Sequence, residues 1–250
     1  MRHIPRLKSG VIYVWINQHD KDRLLDCNSP VCFPKIRSLN YCPLISKGER
    51  VYNQSFLSQE ELVARLQAAG LSGNEITRIC GAYDMAEEIH RIQKRTDGSP
   101  YFWHVTRVVK ILLDELKITD PDIICAALLH DAMEDSDVLS PAILEFNFGP
   151  YVAYLVQTLT KDYRADPSHR EKIDKEYIER IRLSTDDARV VKFADRLDNS
   201  RCLSFNLKKN PIRYINETAA WYFPMVIQST NPHLHYLMKE IQKEQNKFLG

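Results

Sequence analysis

Ala126-Ala-Leu-Leu-His-Asp-Ala-Met-Glu-Asp135 is the stretch of sequence that decides the fold. It follows Asp120-Pro121, which predicts a helix start because proline fits the first helical turn. Residues 122–133 are apolar on nearly every side of the predicted helix. A helix of this kind is buried among other elements, so the pattern predicts the central helix of the domain.

Ligating groups crowd the end of this apolar helix: His130, Asp131, Glu134 and Asp135. Burial penalises charged groups unless they are paired or bound to a metal. Imidazole and carboxylate ligands suit Mn, Fe or Zn, so the pattern favours a divalent cation site. If the helix continues, Glu134 lies one turn beyond His130 on the same face. The alternative is a helix terminus with solvated acids, placed at the end that the helix dipole disfavours.

Two further residues support a metal site. His104 lies among aromatic residues, where a histidine is usually only packed and hydrogen-bonded. Asp195 follows a largely apolar run and therefore needs a partner, which Asn199 on the same helical face or a salt bridge to Arg196 can supply.

Helical periodicity extends over most of the chain and predicts an all-α domain over residues 56–250. The first of these helices begins with a capping-box sequence, Ser58-Gln-Glu-Glu61. Other helices are predicted at residues 74–94, 102–116, 141–148, 151–159, 168–183, 186–205, 212–228 and 232–247. Residues 1–55 contain four prolines and three cysteines without helical periodicity, which predicts an irregular extension of unknown role with a short strand at residues 11–16.

Composition limits the function classes. The net charge of +1 divides into +5 over residues 1–55 and −4 over the rest, which argues against binding a nucleic-acid polymer. No apolar run is long enough for a membrane span, and no signal peptide is evident, so we expect a cytoplasmic protein. The six cysteines lack the spacing typical of a zinc site and are expected to be reduced thiols. The oligomeric state stays open.

The order His, His-Asp, Asp resembles the HD phosphohydrolase superfamily, whose members bind one metal through four such residues. The surrounding motifs are similar to the hydrolase domain of the RelA/SpoT family. These motifs are Arg95-Thr-Asp-Gly-Ser-Pro-Tyr-Phe-Trp-His104, residues 126–136, Phe148-Gly149, residues 156–161 and residues 189–201. Because synthetase and regulatory regions are absent from the matched stretch, the chain resembles the stand-alone, Mesh1-like alarmone hydrolases.

This resemblance implies a helical HD-domain bundle that removes the 3′-pyrophosphate of guanosine tetraphosphate or pentaphosphate with the help of Mn²⁺. The implied metal ligands are His104, His130, Asp131 and Asp195. Glu134 and Asp135 correspond to the pair of acids that supports catalysis. The implied partner is a guanine nucleotide rather than a nucleic-acid polymer or a membrane. Its expected contacts are Arg95 on the base, Asn199 in the pocket, and Lys161, Arg164, Arg196 and Arg201 as candidates for the phosphates.

Three departures from the family pattern leave alternatives open. Thr96 replaces a lysine, Asp198 replaces a histidine or tyrosine, and Cys202 replaces a threonine. Asp198 is expected to add negative charge near the ligand. One alternative function is therefore hydrolysis of another nucleotide, and a second is a catalytically inactive module that binds a nucleotide.

Overall fold

A computed structural model describes residues 52–161, 163, 167–205 and 210–249. The strand predicted at residues 11–16, most of the predicted extension and Arg164 lie outside these residues. Residues 52–54 form a 3-10 turn that packs on the helical part of the chain.

The described residues form α-helices and short helical turns, and the prediction of an all-α fold is confirmed. The α-helices are α1 (Gln59–Ala68), α2 (Gly73–His90), α3 (Tyr101–Lys110), α4 (Pro121–Leu129), α5 (Ala132–Asp135), α6 (Pro141–Phe148), α7 (Pro150–Leu159), α8 (Arg170–Leu183), α9 (Asp186–Arg201), α10 (Pro211–Glu217), α11 (Phe223–Ile227) and α12 (Pro232–Leu249). Within the described range, none of these helices combines the length and apolar character that crossing a membrane requires.

Helix starts follow the capping signals of the sequence. The Ser58 side chain accepts a hydrogen bond from the Glu61 backbone at the start of α1, and Ser72 and Glu75 form a complete capping box on α2. Asp120 caps α4 ahead of a proline in its first turn. These side chains satisfy backbone N–H groups that have no partner within the helix.

The core surrounds α4. Every residue from Ile123 to Leu129 is buried, and α4 contacts α2, α3, α7 and α9. α12 packs along α9 on one side of this centre. The helices that border α4 therefore bring residues from distant parts of the sequence to its carboxyl-terminal end.

Several predicted helices differ from the observed ones. The predicted helix 102–116 contains a π-helical turn at Ile111–Glu115, and the predicted helix 186–205 ends at Arg201. α2 ends at His90 rather than at residue 94, because residues 93–101 form a tight turn in which Gly98 adopts a φ of +86° and the Tyr101 N–H donates to the Gln93 carbonyl. The predicted helix 122–133 breaks at His130 and Asp131. The predicted helix 212–228 contains a π-helical turn at Thr218–Tyr222.

We predict that Ile124→Ala lowers the free energy of unfolding by about 2–5 kcal/mol, because a fully buried side chain of α4 would leave a cavity. Urea denaturation measures this change. Phe146→Ala is the control, since Phe146 is 84% exposed and its truncation is expected to change stability by about 0.5 kcal/mol or less. Equal effects of the two substitutions would contradict a core centred on α4.

Candidate active site

The break after α4 presents His130 and Asp131 to the interior of the domain. The His130 Nδ1 lies 2.8 Å from the Ala127 carbonyl oxygen, which only accepts, so Nδ1 carries the proton. The Nε2 atom is then a lone-pair donor. It is buried without a hydrogen-bond partner, although Oδ2 of Asp131 lies 3.1 Å away. A buried nitrogen with a free lone pair is suited to a metal.

His104 approaches from α3 in the same tautomer. Its Nδ1 lies 2.6 Å from Oδ2 of Asp198, and a carboxylate only accepts, so Nδ1 carries the proton. The His104 Nε2 lies 3.3 Å from Oδ1 of Asp195 on α9. The His104 and His130 rings meet edge-on with centroids 5.5 Å apart. Helix α3 and the break after α4 therefore direct the Nε2 atoms of His104 and His130 toward the same space.

The four residues expected to bind a metal are close together in space. One ligand atom from each of His104, His130 and Asp195 lies within 4.8 Å of the others. Oδ2 of Asp131 lies 3.8 Å from the His104 Nε2. Two imidazole nitrogens and two carboxylates suit a divalent transition metal.

The electrostatics of this cluster favour a bound cation. Burial alone would raise the pKa of Asp131, but the neighbouring histidines hold that pKa well below its usual value. Burial lowers the pKa of His130, yet the charges of Asp131 and Asp195 outweigh burial and raise it to about 9. Without a metal, Nε2 therefore holds a proton at neutral pH, and a bound cation would take the place of that proton. The two carboxylates therefore remain ionised, and the cluster attracts positive charge.

Three further side chains stabilise the two carboxylates. The Tyr101 hydroxyl donates to Oδ2 of Asp131 at 2.6 Å. The Lys192 ammonium lies 2.7 Å from Oδ2 of Asp195, and the Asn199 amide donates to Oδ1 of the same aspartate. Neither Tyr101 nor Lys192 is among the residues predicted from the sequence. Lys192 precedes Asp195 by three residues on one helical face, and this spacing could have identified it. The salt-bridge partner of Asp195 is Lys192 rather than Arg196.

Glu134 and Asp135 occupy different surroundings. The Lys161 backbone N–H donates to Glu134 Oε1 at 2.6 Å. Burial, followed by the charge of Asp131, raises the pKa of Glu134 to about 7. Asp135 lies instead beside His90, with its Oδ2 3.6 Å from Nδ1. Because the helix breaks at His130, the expectation of one continuous helical face for His130 and Glu134 is not met.

A cavity of about 540 Å³ opens beside the four-residue cluster. Its wall combines carboxylates with several cationic side chains, which suits a metal together with a polyanion. The lining residues are Lys94, Arg95, Thr96, Tyr101, Asp131, Glu134, Lys161, Tyr163, Lys192, Asp195 and Asn199. A larger cavity of about 670 Å³ lies around Tyr154 and Leu183, and none of the four clustered residues lines it.

Of the residues expected to contact a nucleotide, Arg95, Asn199 and Lys161 line the cavity. Arg196 does not, because it is buried between the rings of Tyr214 and Tyr222 and donates to Thr218 Oγ1. Arg201 also points elsewhere, since its guanidinium binds Glu115 at 2.6 Å and 3.0 Å. The expectation that Arg196 and Arg201 bind phosphate is therefore corrected.

The departures at positions 198 and 202 do not face the cavity. Asp198 is fully buried, and its carboxylate is paired with His104 and Arg107 and lies 3.4 Å from Nη1 of the cavity-lining Arg95. Its charge is therefore compensated by protein donors, one side chain away from the cavity. Cys202 is buried with its Sγ 3.6 Å from Nη2 of Arg107. Only Thr96, of the three departures, lines the cavity.

A family model described as HD domain matches residues 82–226, which contain the four clustered residues. The chain belongs to the HD-domain family. HD domains bind a divalent metal, and the buried nitrogen of His130 and its three neighbours fit one.

Relatives of the chain include alarmone enzymes. The chain is 33% identical over 177 residues to human guanosine-3′,5′-bis(diphosphate) 3′-pyrophosphohydrolase MESH1, covering 69% of this chain and 97% of that protein. It is 37% identical over 172 residues to GTP pyrophosphokinase rsh of Brucella melitensis, covering 68% of this chain and only 22% of that protein.

A solved structure is also similar, with a TM-score of 0.56 and 33% identity over 67% of this chain and 95% of that one. Its title reads "A metazoan ortholog of SpoT hydrolyzes ppGpp and plays a role in starvation responses".

We predict that Mn²⁺ raises the melting temperature, because a ligand that binds only the folded state stabilises it by about 2.7 kcal/mol at one hundred times its Kd. Asp195→Asn should abolish most of the shift, since it weakens one ligand. Differential scanning fluorimetry with and without EDTA measures both. Asp187→Asn, about 12 Å away along α9, should keep the wild-type shift. A full shift in Asp195→Asn would exclude Asp195 as a ligand.

Proposed function

We propose that this chain hydrolyses the 3′-pyrophosphate of guanosine tetraphosphate and pentaphosphate, giving GDP or GTP and pyrophosphate. The observation that carries the proposal is the convergence of two histidines and two aspartates. The two aspartates of this cluster line a cavity that also presents cationic side chains. The similarity to MESH1 over nearly that protein's whole length supports the choice of substrate.

The proposed metal ligands are His104, His130, Asp131 and Asp195. We propose Mn²⁺ as the cation, since this mixed nitrogen and oxygen set suits it. When bound, a divalent cation polarises a phosphoryl oxygen and makes water a better nucleophile at neutral pH. The tyrosine, lysine and asparagine that contact Asp131 and Asp195 hold the carboxylates in place for it.

Glu134 is the proposed proton acceptor. The reaction forms a bond between water oxygen and phosphorus and breaks the bond between phosphorus and the 3′ oxygen. A base accepts the proton of water, and a proton is returned to the 3′ oxygen, which leaves as a hydroxyl group. A carboxylate with a pKa of about 7 is well matched to that task at neutral pH. The Lys161 backbone fixes its orientation. Asp135 lies next to His90 and does not line the cavity. Its proposed role is to support Glu134 rather than to contact the substrate.

The cationic side of the cavity is the proposed binding region for the nucleotide. Lys94, Lys161 and Lys192 can neutralise phosphate charge. Arg95 is held by the Asn199 side chain, to which its Nη2 donates at 2.8 Å. A planar guanidinium in a fixed position can stack on a purine ring.

Hydrolysis of another nucleotide is the second candidate, and Thr96 is the observation that favours it. Thr96 lines the cavity where the family pattern has a lysine, so this chain has one cation fewer at that wall.

We place either activity in the cytoplasm, because Cys80, Cys125 and Cys202 are unpaired thiols, which suit a reducing compartment.

We predict that Glu134→Gln lowers kcat by about 10²–10⁴-fold, the range typical of a lost general base. Pyrophosphate release from guanosine tetraphosphate with Mn²⁺ is the assay. Glu88→Gln, an exposed acid on α2, is the matched control and should retain wild-type turnover. A Glu134→Gln enzyme with unchanged kcat would contradict the assignment of the base.

A nucleotide panel separates the two candidate functions. Mn²⁺-loaded protein is expected to release pyrophosphate from guanosine tetraphosphate faster than it releases phosphate or pyrophosphate from deoxynucleotides or dinucleotide phosphates. Faster turnover of one of those compounds would favour the second candidate. Thr96→Lys should then shift the preference toward the tetraphosphate, because it restores a cation at the cavity wall.

A further inference from the structure

Asp198 is at the centre of a buried network behind the four-residue cluster. Its side chain is inaccessible to solvent. Oδ1 accepts hydrogen bonds from the Tyr52 hydroxyl at 2.9 Å and from the Arg107 Nε at 2.7 Å. Oδ2 accepts from the His104 Nδ1 at 2.6 Å and from the Arg107 Nη2 at 3.2 Å. Both oxygens are thus saturated by fixed donors.

Arg107 compensates the buried charge and is itself fully buried. Its Nη1 donates to the backbone carbonyls of Asn53 at 3.2 Å and Ser55 at 3.0 Å. Every nitrogen of the guanidinium therefore has a partner, which a buried ion pair requires in order to be tolerated. Such a pair holds its members in one geometry because any rotation would leave a buried charge or donor unsatisfied.

Only one of the groups bound to Asp198 is a proposed metal ligand. The His104 Nδ1 donates to Asp198, and the His104 Nε2 lies 3.3 Å from Asp195 and 3.8 Å from Asp131. A carboxylate on one nitrogen of an imidazole fixes the tautomer and ring orientation, and it raises the basicity of the other nitrogen. Asp198 does not itself line the cavity, although Nη1 of Arg95, which does, lies 3.4 Å from its Oδ2.

We propose that Asp198 is the positioning residue for the metal ligand His104, and that Arg107 and Tyr52 hold Asp198 in place for this role. The proposal rests on the proposed function to the extent that His104 binds a metal. It extends that function because it assigns Asp198 a part in metal binding. The family pattern has histidine or tyrosine at this position. It also joins residues 52–55 to the site.

The test is Mn²⁺ binding to the full chain, measured by isothermal titration calorimetry without nucleotide. Asp198→Asn is expected to raise the Kd by about 10–100-fold, the usual effect of removing a partner of a metal-bound histidine. Asp122→Asn is the matched control. It breaks another arginine–aspartate pair, with Arg78 at 2.7 Å, at the far end of α4, and should leave the Kd within about twofold of wild type.

A second readout separates positioning from a merely structural role. In protein loaded with diamagnetic Zn²⁺, the ring ¹⁵N shifts of His104 should show a protonated Nδ1 and a metal-bound Nε2. Asp198→Asn should alter the Nδ1 signal while circular dichroism remains that of the wild type. A folded Asp198→Asn protein with wild-type Mn²⁺ affinity and unchanged His104 shifts would overturn the proposal.

Tyr52→Phe keeps the test decisive if Asp198→Asn does not fold. It deletes one hydrogen bond to Asp198 and retains the ring, so the Kd should rise by about 2–10-fold, as expected for one net hydrogen bond. An unchanged Kd would overturn the proposal, as would a wild-type protein that binds no Mn²⁺. Because nucleotide is absent, a failure of the proposed hydrolysis would appear separately, as metal-loaded protein without turnover.

Discussion

The constraint on which the structure depends is the placement of two ionised carboxylates, the half-buried Asp131 and the buried Asp195, beside two buried imidazoles. Negative charge in this position is costly, since Asp131 follows the carboxyl-terminal end of α4, where the helix dipole is also negative. The surrounding architecture compensates it with a lysine, a tyrosine and an asparagine. A bound divalent cation completes that compensation, so the same feature that opposes folding of the empty site favours metal binding.

Much of this arrangement could be predicted from local sequence. The capping residues and prolines mark the starts of α1, α4 and α6 because their hydrogen bonds are made within four residues. His130 and Asp131 are conspicuous in the sequence because they follow an apolar helix, whereas the complete set with His104 and Asp195 was implied by the resemblance to the HD superfamily. Their mutual approach is confirmed by distances of 3.1–3.8 Å, whereas their role as ligands stays a proposal.

The errors concern side chains whose partners are far away in sequence. Arg201 was expected at the phosphates but binds Glu115, 86 positions away. The charge of Asp198 was expected near the ligand but is compensated within the protein, chiefly by Arg107, 91 positions away. Both are on α9, where a rotation of about 100° per residue separates the cavity face from the buried faces. A match to a sequence motif does not show which face of α9 is covered by neighbouring helices and which face lines the cavity. The break at His130 was likewise not predicted from the sequence.

The contacts that residues 52–55 make with Arg107 use backbone carbonyls, which every amino acid carries. Substitutions at Asn53 or Ser55 therefore leave these two acceptors available, whereas a deletion would remove them. A shortened chain that begins at residue 56, the boundary favoured by periodicity, would lose both acceptors and the Tyr52 hydroxyl together. The contact with Arg107 consequently depends on the length of this segment rather than on the side chains at 53 and 55, whereas the contact with Asp198 requires the hydroxyl of Tyr52.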